Sequence, residues 1–128
     1  MAKYFTTRGI NALKSVEDIA TFWVSAKGKK FGELIEGNSV LEVGCGIGGI
    51  TKCLAEQGYD ITSFDPYKEC VNLAKNRFKE KKNVKFFVGD INKLPRGVLS
   101  NKYDSIILCD VLEHIEDDVL TLKNCHRL

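Results

Sequence analysis

The chain has no cysteine pair at C-x-x-C spacing, no long apolar run, no dominant charge, no internal repeat and no low-complexity segment. Each absence excludes something. The five cysteines, Cys45, Cys53, Cys70, Cys109 and Cys125, are odd in number, and most sit among apolar residues or in a glycine-rich stretch. That pattern favours reduced thiols in a cytoplasmic protein over a disulfide framework or a metal site. No segment approaches the roughly 18 apolar residues of a membrane span, so no transmembrane segment is expected. The opening residues, MAKYFTTRGI, lack the apolar centre of a secretory signal. A net charge of +2 is too weak to argue for a nucleic-acid or phospholipid partner, and no basic, aromatic-interleaved surface stands out. The groups Lys27, Lys29, Lys30 and Lys79, Lys81, Lys82 read as solvated helix ends. What remains is a globular composition, 44% hydrophobic and 28% charged, in a length that suits one core.

Along the chain, helical and strand patterns alternate. Residues 3–14 show no clear period and read as a mobile arm. Ser15 reads as an N-cap, and Val16, Ile19, Ala20, Trp23 and Val24 then follow helical spacing. The pattern loosens at Gly28 and Gly32, which suggests two helices, and the residues EGN at 36–38 form a turn. Ser39 to Val43 is a short buried strand. Ile50 to Gln57 is helical, with Gly58 where a C-terminal glycine belongs. Asp60 to Phe64 is a second strand. Asp65-Pro66 reads as an N-cap followed by a first-turn proline, opening a helix to about Lys81. Val84 to Val88 is a third strand. A loop with Asp90, Pro95 and Gly97 leads to a fourth strand at about Tyr103 to Cys109. A last helix starts near Glu116 to Asp118, with Val119 and Leu122 beginning its apolar face.

This order implies an α/β fold, a doubly wound parallel sheet with right-handed crossovers. Ligands of such sheets lie beyond the carboxyl ends of the strands. The notable residues fall there: Gly44 to Gly49 after the first strand, Asp65 after the second, Gly89-Asp90 after the third, Asp110 to His114 after the fourth.

The glycine-rich loop, LEVGCGIGG at 41–49, serves three readings by itself. Gly44, Gly46 and Gly49 fit G-x-G-x-x-G, and Asp65 lies at a distance suited to a ribose diol, as in a dinucleotide oxidoreductase. A tight strand-to-helix turn without a ligand also fits. A nucleoside carrying a cationic sulfonium is the third. Glu42 favours that third reading, because a carboxylate repels pyrophosphate and attracts a cationic methionine group. Asp90 offers an acceptor for an exocyclic amine beside the N–H of Ile91. The fourth strand ends in CDVLEHI, whose acidic and imidazole groups face the place of a second substrate.

At these residues the sequence resembles the class I S-adenosylmethionine-dependent methyltransferases. VLEVGCGIGG is similar to their first motif, FDP to their ribose-binding acidic position and GD to their adenine-contacting position. YDSIILCDVLEHI resembles the fourth-strand segment of the ubiquinone-biosynthesis-type O-methyltransferases, and the likeness spans about residues 35–125. It implies a Rossmann-like domain at 37–128, strand order 3-2-1-4, with residues 1–36 as an arm and helical cap. S-adenosyl-L-methionine is the implied cofactor. Gly44, Cys45 and Gly46 bring backbone to its methionine part, and Glu42 orients its amino group directly or through water. Asp65 takes the ribose hydroxyls, and Pro66 and Tyr67 flank the adenine. Asp90 and Ile91 read the adenine edge. Cys109 offers its carbonyl to the ammonium group, and Asp110 borders the acceptor pocket. His114 is the candidate catalytic base for a phenol or alcohol, with Glu113 to orient it and no metal.

Other residues read as structural: Asp104 at the start of the fourth strand, Trp23 in core or lid packing, and His126 on the surface. The family's sheet usually continues with a fifth strand and a hairpin. Without them the fourth strand is an exposed edge, open to a completing chain or a second copy. Three readings compete: a methyltransferase of small-molecule acceptors with O-methylation favoured, a non-catalytic or partner-completed cofactor-binding module, and a nicotinamide-dependent oxidoreductase. No N-P-P-Y-type tetrad follows the fourth strand, where CDVL stands, so nucleic-acid and protein acceptors are disfavoured.

Overall fold

The computed structural model describes residues 17–94, 98 and 100–128, with side chains from residue 24 onward. The readings of residues 3–14 as an arm and of Ser15 as an N-cap, and the side chain of Trp23, lie outside these.

The elements run α1 (Glu17–Leu34), β1 (Ser39–Val43), α2 (Gly49–Glu56), β2 (Asp60–Asp65), α3 (Lys68–Arg77), β3 (Val84–Val88), β4 (Ser105–Leu108), a 3-10 turn (Leu112–His114) and α4 (Asp118–Arg127). The four strands form one parallel sheet in the order β3-β2-β1-β4. This is the Rossmann-like order expected from the sequence. β1 pairs with both β2 and β4, so the strand order reverses beside it. That reversal places a crevice at the carboxyl ends of β1 and β4.

Alternation along β1 divides the core in two. Val40 faces one layer with Ile50, Leu54, Ile61, Val71, Phe78 and Phe86. Leu41 and Val43 face the other with Phe64, Ile91, Leu94, Val98 and Leu128. Helices or loops cover both faces, which is why β1 reads as a nearly continuous apolar run. At the other end of the sheet, Asp104 Oδ2 accepts the N–H groups of Asn38 (2.8 Å) and Ser39 (2.9 Å). Those bonds hold its carboxyl below the usual range. The structural reading of Asp104 therefore stands.

Gly58 ends α2 as expected. It sits at φ 94, with its N–H on the Ala55 carbonyl (3.1 Å) and the Tyr59 N–H on Leu54 (3.3 Å). This is the Schellman pattern, and glycine adopts that backbone without a Cβ penalty.

Five expectations need correction. The break into two helices at Gly28 and Gly32 does not occur, because α1 runs through both. A Cβ at Gly28 would lie 2.3 Å from Cys53 Cβ, and one at Gly32 2.0 Å from Gln57 Oε1. The two glycines are a groove into which α2 packs. Gln57 and Tyr59 then donate to the carbonyls of Gly28 (3.4 Å) and Gly32 (3.0 Å). Lys27, Lys29 and Lys30 consequently lie within the helix and not at its end. Lys27 pairs with Asp110, and Lys30 with Glu33. Next, α3 begins at Lys68, not Pro66. The Asp65 carboxylate accepts the Tyr67 N–H (2.9 Å), an Asx turn that holds Pro66-Tyr67 outside the helix. The helix also stops at Arg77, where Phe78 turns inward onto Phe86 with ring centroids 5.2 Å apart. Finally, Val119 and Leu122 do not face the core; they are 57% and 50% exposed. The buried side of α4 carries Thr121, Cys125 and Leu128.

The groove yields a prediction. Gly28→Ala gains helix propensity worth about 1 kcal/mol, but overpacking of a close contact costs about 1–3 kcal/mol. The variant is expected to unfold at lower urea concentration than the parent. An unchanged or higher midpoint would show that the helices separate freely.

Candidate functional site

The loop after β1 is pinned first by β2. The N–H groups of Gly44 and Cys45 both donate to the Phe64 carbonyl (2.9 and 3.0 Å), and the Gly46 N–H donates to Asp65 Oδ2 (2.9 Å). Arg77 then holds the loop from α3 through the Ile47 carbonyl (3.0 Å). Of the four glycines at 44–49, three make room for protein. A Cβ at Gly44 would lie 2.5 Å from Val111, at Gly48 2.8 Å from Phe78, and at Gly49 2.9 Å from Val24. Gly46 differs. A Cβ there would meet nothing within 4 Å, and the residue lines a cavity of about 810 Å³.

That cavity lies across the strand ends. Gly44 and Gly46 line it from β1, Asp65, Pro66 and Tyr67 from β2, Asp90 and Ile91 from β3, and Asp110 and His114 from β4. Nine of the twelve residues singled out from the sequence thus share one wall. The other three lie behind it. Glu42 is 2% exposed, and its Oε2 accepts the hydroxyls of Thr51 (2.5 Å) and Ser63 (2.8 Å). Glu42 was expected to reach the amino group directly or through water; its side chain points into the α2 layer, where Ser63 is its register partner, and does not line the cavity. Cys45 turns its side chain into the same layer. Cys109, half-buried, points its thiol at Asp110 Oδ2 (3.6 Å) and is not on the cavity wall.

Electrostatics follow from these placements. Burial pushes the Glu42 carboxyl up to about 7, against the two hydroxyl bonds, and Asp65 nearby adds to the rise. Burial also raises Asp65, opposed by the N–H groups of Tyr67 and Gly46. Burial raises the Cys45 thiol far above its ordinary range and the Cys109 thiol to about 11, so neither is a nucleophile at neutral pH. Asp110 is held low, chiefly by its bond to Lys27. Asp110 also has φ 55, a left-handed backbone that Asp tolerates better than most residues.

Several contributors were missed in the sequence. Lys27 reaches from α1 to the tip of β4. Asn92, Glu116 and Asp117 also line the cavity. Asp117 was read only as a charge suited to a helix start, and it does cap α4, accepting the Leu120 N–H (2.8 Å). The wall carries Asp65, Asp90, Asp110, Glu116 and Asp117 against one lysine, Lys93. Such a wall suits a cation better than a pyrophosphate. The negative charge facing a ligand therefore comes from the wall and not from Glu42. Among the described residues no three His, Cys, Asp or Glu side chains gather to hold a metal ion, and no helix is long and apolar enough to cross a membrane.

Residues 41–128 match the methyltransferase domain family. The chain belongs to that family. By family and fold it is a class I S-adenosylmethionine-dependent methyltransferase domain. It is 32% identical to the ubiquinone biosynthesis O-methyltransferase of Coxiella burnetii over 95 residues, 73% of this chain and 40% of that protein. The protein of the same name from Vibrio cholerae is 24% identical over 134 residues, 92% of this chain and 55% of that one. The chain thus spans about half, or less, of the curated relatives it matches. Among solved structures, the N-terminal domain of EvdMO1 with S-adenosylhomocysteine bound superposes with a TM-score of 0.74 at 24% identity, covering 82% of this chain and 45% of that one. Magnesium protoporphyrin IX methyltransferase of Synechocystis, with S-adenosylmethionine bound, gives 0.60 at 24% identity, covering 91% and 53%. These two likenesses establish the fold.

Glu42 gives a pH test for this methyltransferase domain. Its folded pKa lies above the ordinary 4.5, so the folded state holds this proton more tightly than the unfolded one. Its contribution to stability is complete below pH 4.5 and is lost as pH rises through about 7. A rise of this size corresponds to on the order of 3 kcal/mol. Glu42→Gln, which keeps an acceptor for Thr51 and Ser63, is expected to flatten the fall in melting temperature between pH 5 and 8. An unchanged slope would assign the fall to Asp65 or other groups.

Proposed function

We propose that this chain binds S-adenosyl-L-methionine and transfers its methyl group to a small-molecule acceptor, with O-methylation favoured. The observation carrying this reading is the open face of Gly46 beside the Asp65 carboxylate in an acid-rich cavity. When bound, the cofactor supplies an electrophilic methyl group on a cationic sulfur. The rest is done by the chain. Gly46 presents bare backbone to the methionine part, where a side chain would block approach, and Gly44, packed on Val111, adds its backbone to the same wall. Asp65 uses one lone pair of each oxygen on Gly46 and Tyr67, and the remaining pairs can accept from two ribose hydroxyls. Pro66 and Tyr67 flank the adenine. Asp90 spends Oδ1 on the Asn92 N–H (2.8 Å), and its other oxygen serves the exocyclic amine beside Ile91. Glu42 acts from behind the loop as a buried group.

In this reading His114, which lines the cavity from the 3-10 turn, takes the proton of an acceptor hydroxyl as its oxygen gains the methyl group. Holding acceptor and donor in line and excluding water can supply about 7–11 kcal/mol. The relatives named as O-methyltransferases support an oxygen acceptor. The thiols, free in the structure, support a cytoplasmic location. The outer edge of β4 can receive a further strand or a second copy.

Calorimetric titration tests the cofactor reading. The parent chain is expected to bind S-adenosylhomocysteine in the micromolar range and NADH not at all. Asp65→Ala should abolish the binding. Gly46→Ala meets no protein atom but sits at φ 52, so it should cost about 1–2 kcal/mol of stability and, in the fraction still folded by its melting curve, weaken binding about tenfold or more. NADH binding in place of S-adenosylhomocysteine would move the chain to the oxidoreductase reading. A folded chain that binds neither would leave only the non-catalytic one.

A further inference from the structure

α4 touches the cavity's β3 side through a chain of polar side chains that the proposed chemistry does not use. Asn124 Nδ2 donates to Asn92 Oδ1 (2.9 Å) and to the Ile91 carbonyl (3.4 Å). Asn92 Nδ2 donates to Thr121 Oγ1 (3.2 Å), and the Thr121 hydroxyl donates to the Asp117 carbonyl (3.0 Å). The Thr121 hydroxyl also lies within reach of Asn92 Oδ1 (3.4 Å), so Asn124, Asn92 and Thr121 form one connected network that ends at the first turn of α4. Thr121 is fully buried, and Asn92 and Asn124 are half-buried. An amide in such a place with its partner removed leaves an unsatisfied donor, so the chain resists partial loss.

Asn92 is the hub. Its side chain is locked by α4, while its backbone N–H holds Asp90 Oδ1. Ile91 is fixed from the same helix through its carbonyl. Asp90, Ile91 and Asn92 all line the cavity. The orientation of the Asp90 carboxylate is therefore set two bonds away, by residues of a helix more than twenty positions further along the chain.

We infer that Asn124 and Thr121 are positioning residues for base recognition: through Asn92 they aim the Asp90 carboxylate and the Ile91 backbone at the 6-amino edge of the bound nucleoside. The inference rests on the cofactor reading above and adds the part of the fold that sets its base preference. It also explains why a helix with Val119 and Leu122 exposed docks through Thr121. The buried side joins this polar network to Cys125 and Leu128, which pack on the second core layer.

Binding of S-adenosylhomocysteine and of S-inosylhomocysteine, which lacks the 6-amino donor, separates positioning from mere stability. The parent is expected to prefer the adenosine compound by about tenfold or more, the scale of one hydrogen bond to a charged acceptor. Thr121→Val, nearly the same shape without a hydroxyl, and Asn124→Leu should each collapse that preference toward one. Thr121→Ser, which restores the hydroxyl, should recover it. Melting curves report folding independently. Variants that lose affinity for both compounds in equal proportion, with the preference intact, would overturn the inference and leave the chain a structural tie. A parent that binds neither compound overturns the cofactor reading and this inference with it. A parent that binds both equally overturns the inference alone.

Discussion

Val24, Phe78 and Val111 press on the backbone of residues 44–49 from three directions, and each stands where a Cβ would otherwise be. α1, the segment after α3 and the segment after β4 all meet at this loop. Without glycine at 44, 48 and 49 each of them would have to withdraw. The nearest atoms are side-chain atoms of a β-branched valine or an aromatic ring, which have few alternative rotamers to withdraw into. The loop is thus the keystone of the carboxyl edge, and the cavity wall is the part of it left uncovered. Gly46 is that part. Glycine richness here serves packing and the left-handed backbone at residues 44, 46 and 48 first and ligand approach second, although all these needs produce the same letters in the sequence.

The charges around this loop are arranged at two depths. The wall bears carboxylates that face the cavity, with Asp110 partly neutralised by Lys27. Behind it Glu42 is enclosed with Thr51 and Ser63. A carboxyl so placed is costly when ionised, and two hydroxyl donors offset only part of the cost. The inner group titrates near neutrality, whereas the Asp110 carboxylate at the rim is charged throughout the physiological range.

Much of this was legible in the sequence. β1 and β3 were readable to the residue, because buried parallel strands are short apolar runs bounded by turn residues. Gly58 was readable because a Schellman close has few substitutes. Gly28 and Gly32 misled because a glycine in a helical pattern means a break only if nothing packs there, and the packing partner α2 is remote in sequence. Asp65 was placed at the right strand end, but its Asx turn competes with the N-cap that Pro66 suggested. Val119 and Leu122 misled for the opposite reason. Hydrophobicity nominated a face, while the hydrogen bonds of Thr121 and Asn124, with the packing of Cys125 and Leu128, chose another. Glu42 was found, and its strand position correctly put it near the loop. Which side of the sheet it faces could have been read from alternation, since it shares a face with Val40 and not with Val43.

The reversal of strand order beside β1 has a consequence for how the molecule assembles. β1, β2 and β3 pair with their sequence neighbours through short crossovers. β4 must instead return to the opposite side of β1, where Ser105 aligns with Val40. That is the longest loop closure in the sheet, and its entropy must be met before any β4 contact rewards it. The β1–β4 crevice therefore forms with the last strand to dock. In refolding followed by hydrogen exchange, the amides of β4 should gain protection after those of β1 and β2. A nascent chain would then have the glycine loop and Asp65 in place while still lacking the wall that Asp110 and His114 complete.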